Sequence, residues 1–296
     1  MKELVVISGK GGTGKTSITA AFASLALNAV LADCDVDAAD LHLVLEPKIK
    51  QEFDFSGGKQ ASIISEKCIG CGKCADMCRF DAIKLDGPAN NVVGKTYTVG
   101  SVSCEGCKVC VEFCPVNAVT FEPVINGKWF VSDTRFGPMV HAKLGIAEEN
   151  SGKLVTLIRK EAKRIAEEQN KNFLIIDGSP GIGCPVIASI TGSDLVLVVT
   201  EPTLSGKHDL ERVAELTANF GIKTLVCINK ADINPEMSLS IAEDVGKLGL
   251  KVIGKIPYDE AFTKAQIMKA TLIEYTGDDT AEKIKAMWRE VIYELG

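Results

Sequence analysis

Residues 3–16 read ELVVISGKGGTGKT, and this stretch decides the fold. Its first part, Glu3 to Ser8, is a short and mostly apolar run of the kind that forms a buried parallel strand. Its second part, Gly9 to Thr16, satisfies the pattern G-x-x-x-x-G-K-[ST], and a helix-compatible stretch runs from Lys15 to Leu27. A strand, a glycine-rich loop and a helix in this order predict a phosphate loop.

The loop itself supplies most of the predicted nucleotide contacts. Glycines allow backbone N–H groups to turn toward an anion, and the helix N-terminus adds a favourable dipole. In this pattern Lys15 reaches the outer phosphates and the Thr16 hydroxyl binds Mg²⁺. The predicted nucleotide-binding residues of the loop are Gly11, Gly12, Thr13, Gly14, Lys15, Thr16 and Ser17.

Strands and helices alternate along most of the remaining chain. Apolar runs predict strands at Ala29–Ala32, Phe173–Ile176, Leu195–Thr200, Thr224–Ile228 and Lys251–Ile256, with helices at Leu154–Gln169 and Asp209–Phe220. This alternation predicts an α/β fold, a P-loop NTPase with a mostly parallel, doubly wound sheet. Ligands bind at the carboxyl ends of the strands in such sheets, and the acidic residues Asp33, Asp35 and Asp177 fall there.

Composition limits the possible partners and the compartment. The 296 residues are 46% hydrophobic and carry a net charge of −6, so no overall positive field would attract a nucleic acid or an anionic membrane surface. The first apolar run is too short for a signal peptide, and no run approaches the ~20 residues that cross a bilayer. We therefore expect a cytoplasmic chain with no nucleic-acid partner and no membrane contact, in which the 11 cysteines serve metal ligation rather than disulfides.

Eight cysteines fall in two matching runs with the bacterial ferredoxin spacing. They are Cys68-x2-Cys71-x2-Cys74-x3-Cys78 and Cys104-x2-Cys107-x2-Cys110-x3-Cys114-Pro115. In this spacing the fourth cysteine of each run ligates the other cluster. The predicted ligand sets for two [4Fe-4S] clusters are therefore Cys68, Cys71, Cys74 and Cys114, and Cys104, Cys107, Cys110 and Cys78. Zinc is the alternative, because CxxC pairs also form tetrahedral zinc sites.

The two runs lie in a segment whose composition differs from that of its surroundings. From about residue 58 to about residue 124 the chain is rich in cysteine, glycine, lysine and valine. We predict that residues 58–124 form an inserted small α+β domain like a bacterial two-cluster ferredoxin. Residues 1–57 and 125–296 would then form one discontinuous P-loop domain.

A lysine directly after the first glycine distinguishes this phosphate loop. With Lys10, the stretch KGGTGKT resembles the deviant loop of the MinD, ParA and nitrogenase iron protein superfamily. The resemblance implies an ATP-sandwich dimer in which Lys10 reaches the nucleotide of the other subunit. It also implies that Asp35 orients the attacking water, that Asp33 supports Mg²⁺, and that Asp177 holds Mg²⁺ through water.

The resemblance also assigns a sensor of the γ-phosphate and a base pocket. The Gly181 amide would sense the γ-phosphate, and Asn229, Pro257 and Tyr258 would bind the base. Residues 229–232, Asn-Lys-Ala-Asp, also fit the guanine-reading NKxD pattern, so these residues leave adenine and guanine open. Lys10 and the Asp33/Asp35 motif favour ATP.

Three cysteines lie outside the two runs. Cys34 and Cys227 fall in predicted strands and are expected to be small buried apolar residues. Cys184 follows Asp177 at a spacing similar to that of a cluster-ligating cysteine in the nitrogenase iron protein. A structural role and a ligand role both remain open for Cys184.

Together these features resemble MinD/Mrp-superfamily ATPases that contain an inserted ferredoxin domain. The implied function is nucleotide-driven conformational change coupled to electron transfer or to iron–sulfur or metal cofactor assembly. The implied partners are a second subunit, either identical or a similar ATPase, and a redox or cofactor-assembly protein. The alternative is a MinD/ParA-like spatial-positioning ATPase whose ferredoxin serves as a docking or redox-sensing module.

Overall fold

The computed structural model describes residues 1–145 and 151–296, which divide into two compact units. The first unit comprises Met1–Phe53, Trp129–Lys143 and Ser151–Gly296. The second comprises Asp54–Lys128 and a short stretch that begins at Leu144. The second unit is thus somewhat wider than the segment 58–124 that composition alone marks out.

The strands of the described residues are β1 Lys2–Ser8, β2 Ala29–Asp33, β3 Lys48–Phe55, β4 Gly58–Ile63, β5 Ile83–Gly87, β6 Thr96–Val99, β7 Val119–Val124, β8 Gly127–Thr134, β9 Gly137–Leu144, β10 Phe173–Pro180, β11 Leu195–Thr200, β12 Lys223–Asn229 and β13 Lys251–Ile256. The helices are α1 Lys15–Leu25, α2 Leu41–Leu45, α3 Lys73–Asp76, α4 Val109–Glu112, α5 Ser151–Glu168, α6 Cys184–Ile190, α7 Leu204–Asn219, α8 Pro235–Lys247, α9 Ala261–Ile267, α10 Leu272–Tyr275 and α11 Asp279–Leu295, with one 3₁₀ turn at Ser65–Lys67.

A large, mostly parallel sheet forms the centre of the first unit. Within the described chain its strand order is β13-β12-β11-β1-β10-β2-β9-β8-β3, and every pair from β13 to β9 is parallel. Leu4 and Val6 of β1 share an apolar cluster with Phe22 of α1 and Trp288 of α11. Val5 and its alternate neighbours point to the other face and are also fully buried. Both faces are therefore covered, as a doubly wound sheet requires.

Helix α11 packs its apolar stripe into this core. Asp278 caps it by accepting a hydrogen bond from the Ala281 N–H at 3.0 Å. Its buried residues include Met287, Trp288 and Val291, and the Trp288 ring lies 5.1 Å from that of Phe22. Among the helices of the described ranges, none is long and apolar enough to cross a bilayer.

The second unit is small and contains two antiparallel strand pairs. β4 pairs with β7, and β5 pairs with β6. Its buried apolar cluster consists of Ala61, Cys74, Ile83, Cys110 and Val119. A core of this size gives little hydrophobic stabilisation, and two of its five members are cysteines. A fold of this kind is usually held together by disulfides or metal. None of the eight cysteines of the two runs forms a disulfide.

The buried side chain of His141 is expected to lower the stability of the first unit at acid pH. It is 9% exposed, its Nε2 lies 2.9 Å from Ser132 Oγ, and burial, followed by the charge of His42, lowers its pKa to about 4. His141 is protonated more readily in the unfolded chain than in the folded chain. The free energy of unfolding therefore decreases as the pH falls from about 6.5 toward 4. In His141→Gln we expect the loss of unfolding free energy between pH 7 and pH 4.5 to shrink by about 2 kcal/mol.

The measurement is urea unfolding at a series of pH values. His208→Gln is the matched control, because the His208 side chain is 68% exposed. Equal pH slopes for wild type and His141→Gln would contradict the assignment.

Candidate functional site

The phosphate loop joins β1 to α1 and adopts left-handed backbone at two glycines. Gly12 has φ +79° and Gly14 has φ +90°, a region in which side chains are strained. A Cβ on Gly14 would also lie 2.3 Å from Asn229 Nδ2. Gly14 is therefore required both by its backbone conformation and by the close approach of Asn229.

Lys15 lies at the centre of the predicted catalytic residues. Its Nζ is 2.9 Å from Asp177 Oδ1 and 3.2 Å from Asp35 Oδ2. Thr16 Oγ1 donates to Asp177 Oδ2 at 2.7 Å. Asp33 faces the same group because β2 and β10 pair in parallel with Asp33 opposite Asp177. The structure thus brings Lys15, Thr16, Asp33, Asp35 and Asp177 together.

Burial and crowded charge shift the pKa values of this group. Burial opposes the Lys15 ammonium, but the charges of Asp177 and Asp35 outweigh it, so the pKa of Lys15 is raised. Burial, followed by the charge of Asp177, raises the pKa of Asp33 well above its usual range. Burial also raises the pKa of Asp35, against the effect of Lys15. One lysine therefore does not balance the three carboxylates.

The chemistry of the donors fits Mg²⁺. Thr16, Asp33 and Asp177 offer hydroxyl and carboxylate oxygens, which are the hard ligands that Mg²⁺ prefers. Asp33 is fully buried, and its Oδ2 has no hydrogen-bond partner. A buried, unpartnered carboxylate oxygen beside two other acidic side chains is costly unless a cation joins them.

Lys10 contacts its own chain. Its Nζ lies 2.6 Å from Glu201 Oε1 and donates to Ser205 Oγ at 3.0 Å. The other Glu201 oxygen lies 3.2 Å from Lys230 Nζ, which donates to the Gly12 carbonyl at 3.0 Å. The lysine that the resemblance assigns to the partner's nucleotide is thus paired within the subunit.

The predicted base-binding residues lie at the carboxyl ends of β12 and β13. Asn229 Nδ2 donates to the Thr13 carbonyl at 2.8 Å, and Asn229 Oδ1 is buried without a partner. The Asp232 carboxylate accepts a hydrogen bond from the Tyr258 N–H. One oxygen of the carboxylate that a guanine-reading NKxD motif uses therefore already accepts a hydrogen bond from backbone. The Tyr258 side chain is exposed, and Pro257 precedes it.

The strand that carries Asp177 is longer than its sequence pattern indicates. β10 continues through Pro180, so Asp177 lies inside the strand and not at its end. The Gly181 N–H donates to the Ser8 carbonyl at 2.8 Å, and Gly181 has φ +91°. The amide assigned to γ-phosphate sensing is therefore already used, and it must leave Ser8 before it can meet a phosphate.

The eight cysteines of the second unit surround two separate cavities. One cavity is lined by Cys68, Cys71, Cys74 and Cys114 together with apolar residues and Tyr97. The other is lined by Cys78, Cys104, Cys107 and Cys110. Each cavity therefore takes three cysteines from one run and the fourth from the other run.

The backbone around the two runs repeats. Left-handed residues flank Cys71 at Gly70 and Gly72, and they flank Cys107 at Gly106 and Lys108. Asp81 and Asn117, each three residues after the last cysteine of a run, are left-handed as well. A one-turn helix begins directly after Gly72, at α3, and directly after Lys108, at α4. The two runs thus adopt the same local fold.

The thiols of the two cavities are partly buried. Burial raises the pKa of Cys74 to about 11, and burial also raises the pKa of Cys110. In the described ranges no three His, Cys, Asp or Glu side chains converge closely enough to hold a single metal ion. The Ala118 N–H donates to Cys114 Sγ at 3.2 Å, an arrangement that also stabilises a thiolate.

The remaining cysteines lie outside both cavities. Cys34 and Cys227 are fully buried in or beside the central strands, and burial raises the pKa of Cys227 to about 12. Cys184 is exposed at the first residue of α6. Its ligand role stays a prediction.

Two residues near the nucleotide site escaped sequence analysis. Thr19 Oγ1 donates to Asp177 Oδ1 at 2.9 Å and to the Lys15 carbonyl at 3.0 Å. Glu201 holds Lys10. Glu201 directly follows an apolar strand, which is the same signal that marked Asp177, so the pattern could have found it; nothing in the sequence singles out Thr19.

Comparisons with known proteins agree with the geometry of the first unit. A family profile described as "CobQ/CobB/MinD/ParA nucleotide binding domain" matches residues 4–272. The uncharacterized protein MJ0578 of Methanocaldococcus jannaschii is 33% identical over 293 residues, which cover 98% of this chain and 96% of the relative.

Two solved structures have a similar fold. One is the septum site-determining protein MinD complexed with Mg-ADP from Pyrococcus horikoshii, with 16% identity, a TM-score of 0.56, and coverage of 98% of this chain and 95% of that chain. The other is the MinC:MinD cell division protein complex of Aquifex aeolicus, with 17% identity, a TM-score of 0.59, and coverage of 99% and 96%.

Proposed function

The chain belongs to the CobQ/CobB/MinD/ParA nucleotide-binding family and is a P-loop ATPase, and from this premise we propose that it is an ATP-operated two-subunit switch that carries two [4Fe-4S] clusters. One observation carries the proposal: four cysteines line each of two cavities, and in each cavity one cysteine comes from the other run. Soft thiolates at this spacing are the ligands of bacterial ferredoxin clusters. The second unit would be the part that holds them.

The residues of the first unit have separate tasks in this proposal. Lys15 neutralises charge on the transferred phosphoryl group, and Thr16, Asp33 and Asp177 hold Mg²⁺. Asp35, which is less buried than Asp33 or Asp177, orients the attacking water. Because Lys15 pairs with Asp35 and Asp177 in the structure, it must leave one of them to meet phosphate. The switch is this exchange of partners around Lys15.

The clusters, when bound, supply one-electron transfer. In this proposal ATP-dependent joining of two subunits, identical or similar, changes access of a redox or cofactor-assembly protein to the second unit. The repeated backbone at the two cysteine runs and the small apolar core between them support such a unit, since bound metal would complete its core.

A second candidate is the spatial positioning of cell components, with the second unit as a docking or sensing module. The printed names of the structural neighbours, septum site-determining and cell division proteins, support this candidate, and by names alone it has more support than a redox function. Both candidates use an ATP-operated dimer. They differ in whether the cysteines of the second unit are needed for the function of the protein.

The test is anaerobic EPR and light scattering on protein reconstituted with iron and sulfide. We expect an EPR signal after dithionite reduction, a change in that signal on adding MgATP, and dimers with ATP but not with GTP. A colourless, EPR-silent protein would contradict the clusters, and a signal indifferent to MgATP would contradict the coupling. ATP-dependent localisation in cells that survives Cys71→Ala and Cys107→Ala would favour positioning.

A further inference from the structure

Glu201 is a charged residue to which the predicted ATPase machinery gives no task. It follows β11 directly, its side chain is 16% exposed, and each of its two carboxylate oxygens contacts a different lysine. Oε1 lies 2.6 Å from Lys10 Nζ, and Oε2 lies 3.2 Å from Lys230 Nζ. Lys10 Nζ also meets the hydroxyls of Thr203 at 3.3 Å and Ser205 at 3.0 Å. Oxygen acceptors therefore hold Lys10 at the start of α7.

The backbone on both sides of this contact is closely packed. A Cβ on Gly206 would lie 2.4 Å from the Glu201 carbonyl oxygen, so the turn after Glu201 has no space for a side chain at Gly206. A Cβ on Gly9 would lie 2.3 Å from Asp209 Cβ, so the chain just before Lys10 is packed against α7 as well. The Lys10–Glu201 pair thus joins two closely packed backbone segments.

The carboxylate is charged at neutral pH. Burial opposes this charge, but hydrogen bonds from Lys10 and Lys230 outweigh burial and lower the pKa of Glu201. Lys230 links the same carboxylate to the phosphate loop, because its Nζ donates to the Gly12 carbonyl at 3.0 Å. When Lys10 leaves Glu201, its own charged contact with the carboxylate is broken. The contact of Lys230 with the other carboxylate oxygen stays in place.

We propose that Glu201 is a positioning residue that retains Lys10 in its own subunit and so sets the ATP concentration at which two subunits join. The inference rests on the proposed two-subunit switch. One ammonium group cannot remain on Glu201 and also reach the nucleotide of a partner subunit. If only a fraction of chains has Lys10 released, the apparent affinity for the partner falls to that fraction of the intrinsic affinity.

The test compares Glu201→Gln with Glu215→Gln. The amide keeps the size of the side chain and one acceptor oxygen but removes the charge, and Glu215 is an exposed residue of α7, the helix that follows Glu201. We expect the concentration of a non-hydrolysable ATP analogue that gives half dimer to fall about three- to tenfold in Glu201→Gln and to stay unchanged in Glu215→Gln. Light scattering at fixed protein concentration measures it.

One further readout separates positioning from a structural role. Binding of a fluorescent ATP analogue to dilute monomer should stay within about twofold of wild type in Glu201→Gln, because Lys10 does not hold its own subunit's nucleotide in the proposal.

Three results would overturn the inference. The wild-type chain dimerises, but Glu201→Gln needs the same or a higher concentration of the ATP analogue for half dimer: this result overturns the role of Glu201 and leaves the two-subunit switch intact. Loss of nucleotide binding by Glu201→Gln monomer shows that Glu201 only supports the loop. A wild-type chain that stays monomeric with the analogue removes the two-subunit switch, and this inference with it.

Discussion

Replacing Lys15 by Met is expected to abolish ATP hydrolysis and to lower the free energy of unfolding by about 3 kcal/mol. Lys15 is 5% exposed and contacts Asp35 and Asp177, and Asp33 lies beside them. Without the ammonium, three carboxylates remain crowded in a buried site, and leaving buried charge without its partner is strongly destabilising. Hydrolysis should fall at least about 100-fold, because a preorganised charge on the transferred group is lost.

The two effects are measured separately, by phosphate release and by urea unfolding followed by tryptophan fluorescence. Lys255→Met is the matched control, because Lys255 is exposed on β13, away from the carboxylates. Unfolding of Lys15→Met at the wild-type urea concentration would show that the contacts of Lys15 with the carboxylates contribute no stability. Hydrolysis within tenfold of wild type would show that this loop is not the catalytic site.

A second substitution separates charge from packing. Asp35→Asn removes one of the carboxylates that Lys15 contacts, so in the Lys15→Met background it should restore at least about 1 kcal/mol of stability. In the wild-type background the same change should give a smaller gain, because Lys15 already offsets part of the repulsion among the carboxylates. Hydrolysis should not return in the double variant, since Asp35 is itself assigned to the water. Additive effects of the two changes would contradict the charge argument.

The parts of this site that sequence could predict are those fixed by local backbone. Phosphate-loop glycines, the strand before them and the helix after them are adjacent in sequence, so their contacts follow from the pattern. Asp33 and Asp177 could also be placed at one edge of the sheet in advance, because parallel strands end at the same edge. That β2 lies beside β10 and so brings the two residues opposite each other is shown only by the structure. Burial of both strands on two faces makes their apolar runs easy to recognise.

What sequence could not predict depends on long-range contacts of single side chains. β3 carries mostly exposed residues, so no apolar pattern marks it, and it joins the edge of the sheet beside β8. The Phe53 ring stacks on Trp129 at 4.2 Å, a contact between residues far apart in sequence. The pairing of Lys10 with Glu201 is of the same kind, since the loop alone does not say which way a flexible lysine turns.

Pairs of cysteine substitutions are expected to give opposite results depending on which cavity they touch. In protein reconstituted anaerobically, we expect about eight iron atoms per chain and about four after Cys68→Ala or Cys114→Ala. The combination of these two should still bind about four, because both residues line the same cavity. Cys68→Ala with Cys78→Ala should bind almost none, because those residues line different cavities although they belong to one run.

This design is insensitive to general loss of stability, which would lower iron in both double variants alike. If each run held its own cluster, the two results would be exchanged: Cys68→Ala with Cys78→Ala would keep about four iron atoms and Cys68→Ala with Cys114→Ala would lose all of them. Cys227→Ala, which lies in β12 outside both cavities, is the control and should leave iron and acid-labile sulfide unchanged. Finding one zinc ion per cavity and no iron would show that the cavities are tetrahedral zinc sites and not cluster sites. The physical reason for expecting the crossed result is the fold itself: β4 pairs with β7, and this brings the end of the second run back beside the start of the first.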